Sequence, residues 1–130
     1  MNLKNLMFSI FAVTVLASCA SVSSSSAPQV AVSEQTVGPI FIIQTSLPSG
    51  IEHEVIGQIK ANARTGYDSV ESLYPMLADE ARKVGANAIV DVYGGRTVSA
   101  FSWSAPFTGG TAVRVEDMSL LSTLEGRFIE

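Results

Sequence analysis

The sequence predicts an α+β fold in which one amphipathic helix packs on a small, mainly antiparallel β-sheet. Three observations indicate this class. A single stretch with the apolar period of a helix lies mid-chain, short β-rich runs lie on both sides of it, and turns rich in Gly and Pro separate those runs. The length of 130 residues fits one domain. We therefore expect one helix to cover one sheet.

The first 18 residues are typical of a leader. Lys4 supplies a positive charge, and residues 6–17 form an apolar run. At ~1.5 Å per residue, a helix of this run spans about 18 Å, well short of the ~30 Å hydrocarbon core of a bilayer. We therefore predict a signal peptide over residues 1–18 and not a permanent transmembrane helix.

The apolar run ends in Leu16-Ala17-Ser18-Cys19, which resembles the lipobox of bacterial lipoprotein precursors. The resemblance implies lipid attachment at Cys19, cleavage before it, and acylation of the new amino group by chains such as palmitate. Two or three chains anchor stably, since each buried CH₂ contributes about 0.8 kcal/mol. By the same resemblance, alanine at position 20 implies that the protein lies on the periplasm-facing side of the outer membrane and not at the inner membrane. The alternative is an ordinary secretory signal with Cys19 unmodified.

Residues 19–36 are predicted to be the lipidated cysteine followed by a serine-rich tether. This segment contains Pro28 and lacks apolar periodicity. A flexible segment of about 17 residues reaches roughly 20–25 Å, so the domain formed by residues 37–130 would stand off the bilayer. A short edge strand at residues 30–32 is the alternative.

Two strands are predicted before the helix. Residues 37–44 form an apolar, β-rich run, and residues 54–60 suit a second strand paired with it across a turn that contains Pro48. Gly57, in the middle of the second strand, indicates a bulge or a close backbone approach.

A helical period runs over residues 68–84. Pro75 predicts either a kink or a two-part helix in which Pro75 opens the main part. Asp68 and Glu71 can form a capping pair, and Gly85 is placed to end the helix in the left-handed conformation. The apolar stripe consists of Val70, Tyr74, Leu77, Ala81 and Val84.

Further elements are expected after the helix. They are a buried strand at 87–93, its continuation at 96–103, a strand at 111–116 that pairs back, and a short terminal helix at 119–124. Gly94 and Gly95 separate the first two, which form one bent strand or two strands. Residues 105–110 are predicted to turn.

Residues 77–92 resemble the core of a small α+β family, the YbjQ-type proteins, and are similar to the Rcs stress-sensing outer-membrane lipoprotein. The matching residues are Ala81, Gly85, Ala86, Asn87, Ala88, Ile89 and Val90, with Gly57 and residues 110–113. The resemblance covers residues 40–116 and implies a packing arrangement more than an activity. The Rcs protein relies on disulfides, whereas Cys19 is the single cysteine of this chain, so its signalling role is not carried over.

Composition and side-chain spacing argue against several functions. With 8 basic and 12 acidic residues, the chain lacks the basic surface that nucleic acid requires. His53 lies between Glu52 and Glu54, but alternation in an extended segment sends its side chain to the opposite face, and no second histidine exists. We therefore predict no metal site and no cofactor.

The carboxylates Asp79, Glu80 and Asp91 are the residues to consider for an acid pair. Asp79 and Glu80 are adjacent on the polar face of the predicted helix, which indicates a solvated surface. No nucleophile elbow or phosphate-binding loop is present in the sequence. We therefore predict a protein that is not an enzyme.

Phe101, Trp103 and Phe107 are the candidate partner contacts. Phe101 and Trp103 share one face of a predicted strand, and such a cluster is either core or an exposed contact surface. We predict a non-catalytic binding, structural or stress-sensing module that is anchored to the membrane and can contact an envelope protein. A metal-binding protein and an envelope hydrolase are the alternatives.

Overall fold

The computed structural model describes residues 22–32, 34–63, 69–99 and 102–130; for residues 22, 23, 97–99 and 102–104 it describes the backbone alone. These residues form one six-stranded mixed sheet and one short helix. The α+β class that the sequence predicts is therefore confirmed.

The sheet has the strand order β1-β3-β5-β4-β2-β6. β2 and β4 are parallel, and the other neighbouring strands are antiparallel. The strands are β1 (Val22–Pro28), β2 (Ile40–Ile42), β3 (His53–Ala63), β4 (Ala88–Ser99), β5 (Ser102–Val115) and β6 (Arg127–Ile129). The helix α1 (Tyr74–Lys83) follows a 3-10 turn at Glu71–Leu73, and a second 3-10 helix spans Met118–Thr123.

β1 corrects the prediction of a flexible tether over residues 19–36 for the part that it covers, residues 22–28. The strand pairs antiparallel with β3, from Val22 opposite Ala63 to Pro28 opposite Gly57. Residues 30–32, the alternative strand, lie outside any strand. A run of serines carries no apolar alternation, so the sequence gives no sign of a strand whose partner is the backbone of a distant segment.

The two-part helix is confirmed. The 3-10 turn precedes α1, and Pro75 lies in the first turn of α1, where its missing N–H removes no helical hydrogen bond. The helix ends in a Schellman motif: Gly85 has φ 79°, and the Ala86 N–H donates to the Ala81 carbonyl at 2.9 Å. Asp68, one half of the predicted capping pair, lies outside the described residues.

The predicted pairing of the first apolar run with the second strand is wrong. β2 lies between β4 and β6, while β3 lies between β1 and β5. Ile40, Phe41 and Ile42 are all buried, because both faces of the sheet are covered at this position. An apolar run without alternation suits such an interior strand better than a hairpin with one solvated face.

The predicted turn at residues 105–110 is also wrong, since these residues lie inside β5. The two glycines there make room for side chains. A Cβ on Gly109 would lie 2.6 Å from Cζ of Tyr93, and one on Gly110 would lie 2.8 Å from Cγ2 of Ile89. The chain reverses between Ser99 and Ser102, which pair with each other.

β4 continues through Gly94 and Gly95 and is irregular on both sides of them, with the later register shift between Thr97 and Ser99. Its register against β5 shifts between Val90 and Tyr93, and Asp91 has φ 51°. Asp is one of the residues that tolerate the left-handed region. β4 is therefore one strand with a bulge at Asp91, and the two glycines do not interrupt it.

Two apolar layers cover the two faces of the sheet. On one face, Leu77, Ala78 and Ala81 of α1 pack against sheet residues that include Ile59 and Ile89. On the other face, the 3-10 helix and the loop before β3 cover a second set: Phe41, Ile43, Ile51, Ala88, Val90, Val113, Val115 and Leu121. The helix thus covers one face of the sheet, as the sequence predicts. The sequence does not predict the second apolar layer on the other face.

Gly57 lies at a bulge and at a close approach between two strand backbones, as the sequence predicts. The register of β3 against β5 shifts between Val55 and Gly57. A Cβ on Gly57 would collide with the Ala27 carbonyl oxygen and lie 2.8 Å from Cα of Pro28. The absence of a side chain at this position therefore lets β1 approach β3.

Candidate functional site

At one end of the sheet, the end of β3 lies between the start of β1 and the β4–β5 hairpin. Val22 pairs with Ala63, the last residue of β3, and the neighbouring Asn62 pairs with Phe107. From there the hairpin continues to its last pair, Ser99 with Ser102. We call this region, residues 22, 63, 96–99 and 102–106, the hairpin end of the sheet.

The structure describes only part of the predicted site residues. Cys19 and Phe101 lie outside the described residues, and Trp103 lies in β5 with its side chain outside the description. Phe107 is described and half-buried, next to the hairpin end.

Phe107 forms an aromatic pair with Tyr93, a residue that the sequence reasoning missed. The ring centroids lie 6.5 Å apart at an interplanar angle of 56°, and Tyr93 is 52% exposed. Each ring lies over a glycine on the neighbouring strand, Phe107 over Gly95 and Tyr93 over Gly109. In the sequence, glycines that lie across from aromatic residues could have indicated this pair, since a flat ring needs such space on a sheet.

The Tyr93 and Phe107 rings lie on the sheet face opposite α1, among polar side chains. Gln58 Nε2 donates to Thr111 Oγ1 at 2.8 Å on this face, and Lys60 is exposed two residues along β3. An exposed tyrosine and a half-buried phenylalanine, with amide, hydroxyl and ammonium groups beside them, can contact another molecule through both apolar and polar groups.

Glu80 is buried, which corrects its prediction as a solvated residue of the helix surface. It is only 4% exposed, because β1 covers it. Ser24 Oγ of β1 donates to Glu80 Oε1 at 2.6 Å, and Lys83 Nζ donates to the same oxygen at 2.9 Å. The serines of the predicted tether therefore fix β1 to the helix.

The environment of Glu80 shifts its ionisation. Burial raises the pKa of the carboxyl, but hydrogen bonds from Ser24, Lys83 and Ser26, together with the positive charge of Lys83, outweigh burial and lower the pKa below its ordinary value. The hydrogen bond to Glu80 raises the pKa of Lys83 in turn. Glu80 is thus held as a carboxylate.

The three carboxylates considered for an acid pair have separate partners. Asp79 pairs with Arg82 at 2.7 Å, and Asp91 accepts from Ser46 Oγ at 2.8 Å. Glu80 bonds to β1 as described. The structure does not bring these carboxylates together.

His53 lies at the opposite end of the sheet, where β3 begins. Its Nδ1 lies 2.9 Å from the Ile51 carbonyl oxygen, and Glu54 lies 3.6 Å from Arg114. Within the described ranges, no three His, Cys, Asp or Glu side chains are grouped so that they could hold a metal ion.

An open groove of about 580 Å³ lies beyond the carboxyl end of β2. Arg127 lies over the ring of Tyr74, 4.9 Å from its centroid, at one wall of this groove. The carboxylates of Glu71 and Glu125 share the lining with that arginine. The groove is therefore lined by charges of both signs.

In the part of the chain that the structure describes, no helix has the length and apolar character needed to cross a bilayer. Comparison of the chain with family models, curated proteins and solved structures found no match. The lipoprotein signal and the YbjQ-type resemblance therefore stay predictions from the sequence.

Proposed function

We propose that this chain is the precursor of a lipid-anchored envelope protein whose mature part begins at Cys19. In this proposal the domain faces the periplasm from the outer membrane and acts as a non-catalytic binding, structural or stress-sensing module. The observation that carries the proposal is the Leu16-Ala17-Ser18-Cys19 motif directly after an apolar run too short to span a bilayer.

The start of the folded domain supports this proposal. β1 begins at Val22, three residues after Cys19. Since three residues span at most about 10 Å, a lipid on Cys19 would hold the sheet at the membrane surface. In this proposal the domain lies directly at the bilayer and does not stand off it.

A binding role is supported by the Tyr93 and Phe107 pair. Its rings are accessible on a sheet face with polar neighbours, which suits contact with an envelope protein. The separate partners of Asp79, Glu80 and Asp91 favour a structural use of these carboxylates over catalysis.

The proposed relation to the YbjQ-type group is supported by the junction between α1 and β4. Gly85 closes the Schellman motif there. Asn87 donates through Nδ2 to the Val115 carbonyl at 2.8 Å and accepts from the Val115 N–H at 2.7 Å. These matching residues have a packing role, as the resemblance implies.

Cys19→Ala tests the anchor. We expect the variant to remain an uncleaved precursor without acyl chains, because the thiol that receives the lipid is gone. Intact mass and partitioning into detergent measure both changes. Ser18→Ala is the control, since it keeps a small residue before the cysteine and should be processed normally. Processing and detergent partitioning of Cys19→Ala like the wild type would contradict the proposal.

A further inference from the structure

We propose that the hairpin end of the sheet rests in the headgroup layer of the bilayer that holds Cys19, so that membrane lipid is its partner. The inference rests on the proposed lipid anchor. It adds to the anchor a fixed orientation of the domain, with the hairpin toward the membrane and the start of β3 away from it.

The register of the strands places the hairpin within reach of the membrane. Cys19 lies at most about 10 Å from Val22, because Val22 is three positions further along the chain. Val22 pairs with Ala63, close to the level at which Pro106 pairs with Arg96. From Pro106 the strand continues four residues to Ser102, which is about 13 Å at ~3.3 Å per residue. The hairpin therefore extends at least as far beyond the Val22–Ala63 pair as Cys19 can.

The charges along the sheet favour the same orientation. Residues 92–115, which form most of the β4–β5 hairpin, contain no Asp or Glu, although the chain has 12 such residues. The opposite end, where His53 pairs with Val115, is acidic. The carboxylates there are Glu52, Glu54, Glu116 and Asp117, and they outnumber the guanidinium of Arg114, which lies 3.6 Å from Glu54. An anionic membrane surface repels that end and accepts the carboxylate-free end.

The residue types of the hairpin suit the headgroup layer. Its sequence includes Phe101 and Trp103 among small and hydroxyl-bearing residues. Tryptophan is enriched at the boundary between lipid and water. Trp103 is also the single tryptophan of the chain, so its fluorescence reports on this segment without a label.

Depth-dependent quenching tests the orientation. The mature lipidated protein is reconstituted in vesicles of phosphatidylethanolamine and phosphatidylglycerol, with nitroxide-labelled lipids at the headgroup or at the end of the acyl chain. We expect headgroup nitroxides to quench Trp103 strongly and chain-end nitroxides to quench it weakly. Equal emission with and without nitroxide, from protein that floats with the vesicles, would overturn the proposal.

A matched variant places the probe at the other end of the sheet. Val55 is 45% exposed and pairs with Val113, so Trp103→Phe combined with Val55→Trp moves the tryptophan away from the hairpin without filling the core. We expect no quenching in this variant. Quenching equal to that of Trp103 would contradict a fixed orientation.

Failure of the anchor and failure of the orientation give different results. An intact mass without acyl chains refutes the anchor. Since Cys19 is the single thiol, residues 19–130, which include every described residue, can then be coupled through it to a maleimide lipid in the same vesicles. Quenching of Trp103 after coupling supports the orientation, and its absence refutes it.

Discussion

Gly57→Val is expected to release β1 from the sheet while the other strands and α1 stay folded. The valine Cβ would collide with the Ala27 carbonyl oxygen and crowd Cα of Pro28, and both are backbone atoms that cannot rotate away. We expect the free energy of unfolding to fall by about 3 kcal/mol, the upper range for overpacking. Urea unfolding measures the loss, and protease cleavage within residues 22–28 locates it.

Gly50→Val is the matched control for Gly57→Val. Gly50 lies in an exposed turn, and a Cβ there would meet no atom within 4 Å. Its free energy of unfolding should change by less than about 0.5 kcal/mol. An equal loss of stability in both variants would show that the contact with β1 is not what requires glycine at position 57.

Glu80→Ala is expected to lower the free energy of unfolding by about 2 kcal/mol at pH 7, since hydrogen bonds to a charged group contribute roughly 1.5–3 kcal/mol. The substitution removes the acceptor of Ser24 and Lys83 and leaves space beneath β1. Thermal unfolding and cleavage of β1 by protease measure the effect. We expect β1 to become accessible before the rest of the sheet unfolds.

The pH dependence of Glu80→Gln isolates the charge. The folded-state pKa of Glu80 is lowered, so its carboxylate stabilises the fold above its ordinary pKa of 4.5 and loses this effect as pH falls through the lowered value. The wild type should therefore exceed Glu80→Gln in stability at pH 7, and the difference should shrink below pH 4.5. Asp79→Asn, at a 65% exposed carboxylate, is the control and should retain the wild-type dependence. A constant difference between wild type and Glu80→Gln at every pH would contradict the role of the charge.

The elements that the sequence predicts well are those determined by local spacing. The apolar stripe of α1, its opening at Pro75 and its end at Gly85 depend on residues within a few turns of each other. The position of β2 beside β4 depends on a partner that lies far along the chain. No local period reveals such a neighbour, which is why the predicted hairpin of the first two strands is wrong.

β1 and Glu80 were missed for one shared reason. Taken alone, Ser24 belongs to a polar, unpatterned segment, and Glu80 lies on the polar side of a helix. Glu80 becomes buried and Ser24 half-buried only because each covers the other. A cluster of polar residues that satisfy one another across 56 positions leaves no trace in hydrophobic periodicity.

Of the candidate contact residues, Phe107 was predicted and Tyr93 was not. The sequence marks Phe107 because it belongs to an aromatic cluster in a glycine-containing segment. Tyr93 lies in a segment whose sequence predicts a buried strand. The bulge at Asp91 shifts the register that determines which face of the sheet the Tyr93 side chain occupies. One bulge is enough to change which face a side chain occupies.

The central claim is that residues 22–28 form a strand of the folded sheet, so that the start of β1 lies at the same end of the sheet as the hairpin end. Amide hydrogen exchange of the mature wild-type protein tests it most directly. We predict that the amides of β1 that donate to β3 exchange slowly, with protection that is lost in Gly57→Val. Exchange of every amide in residues 22–28 at the rate of an unstructured peptide, while β3 and β5 stay protected, would contradict the claim.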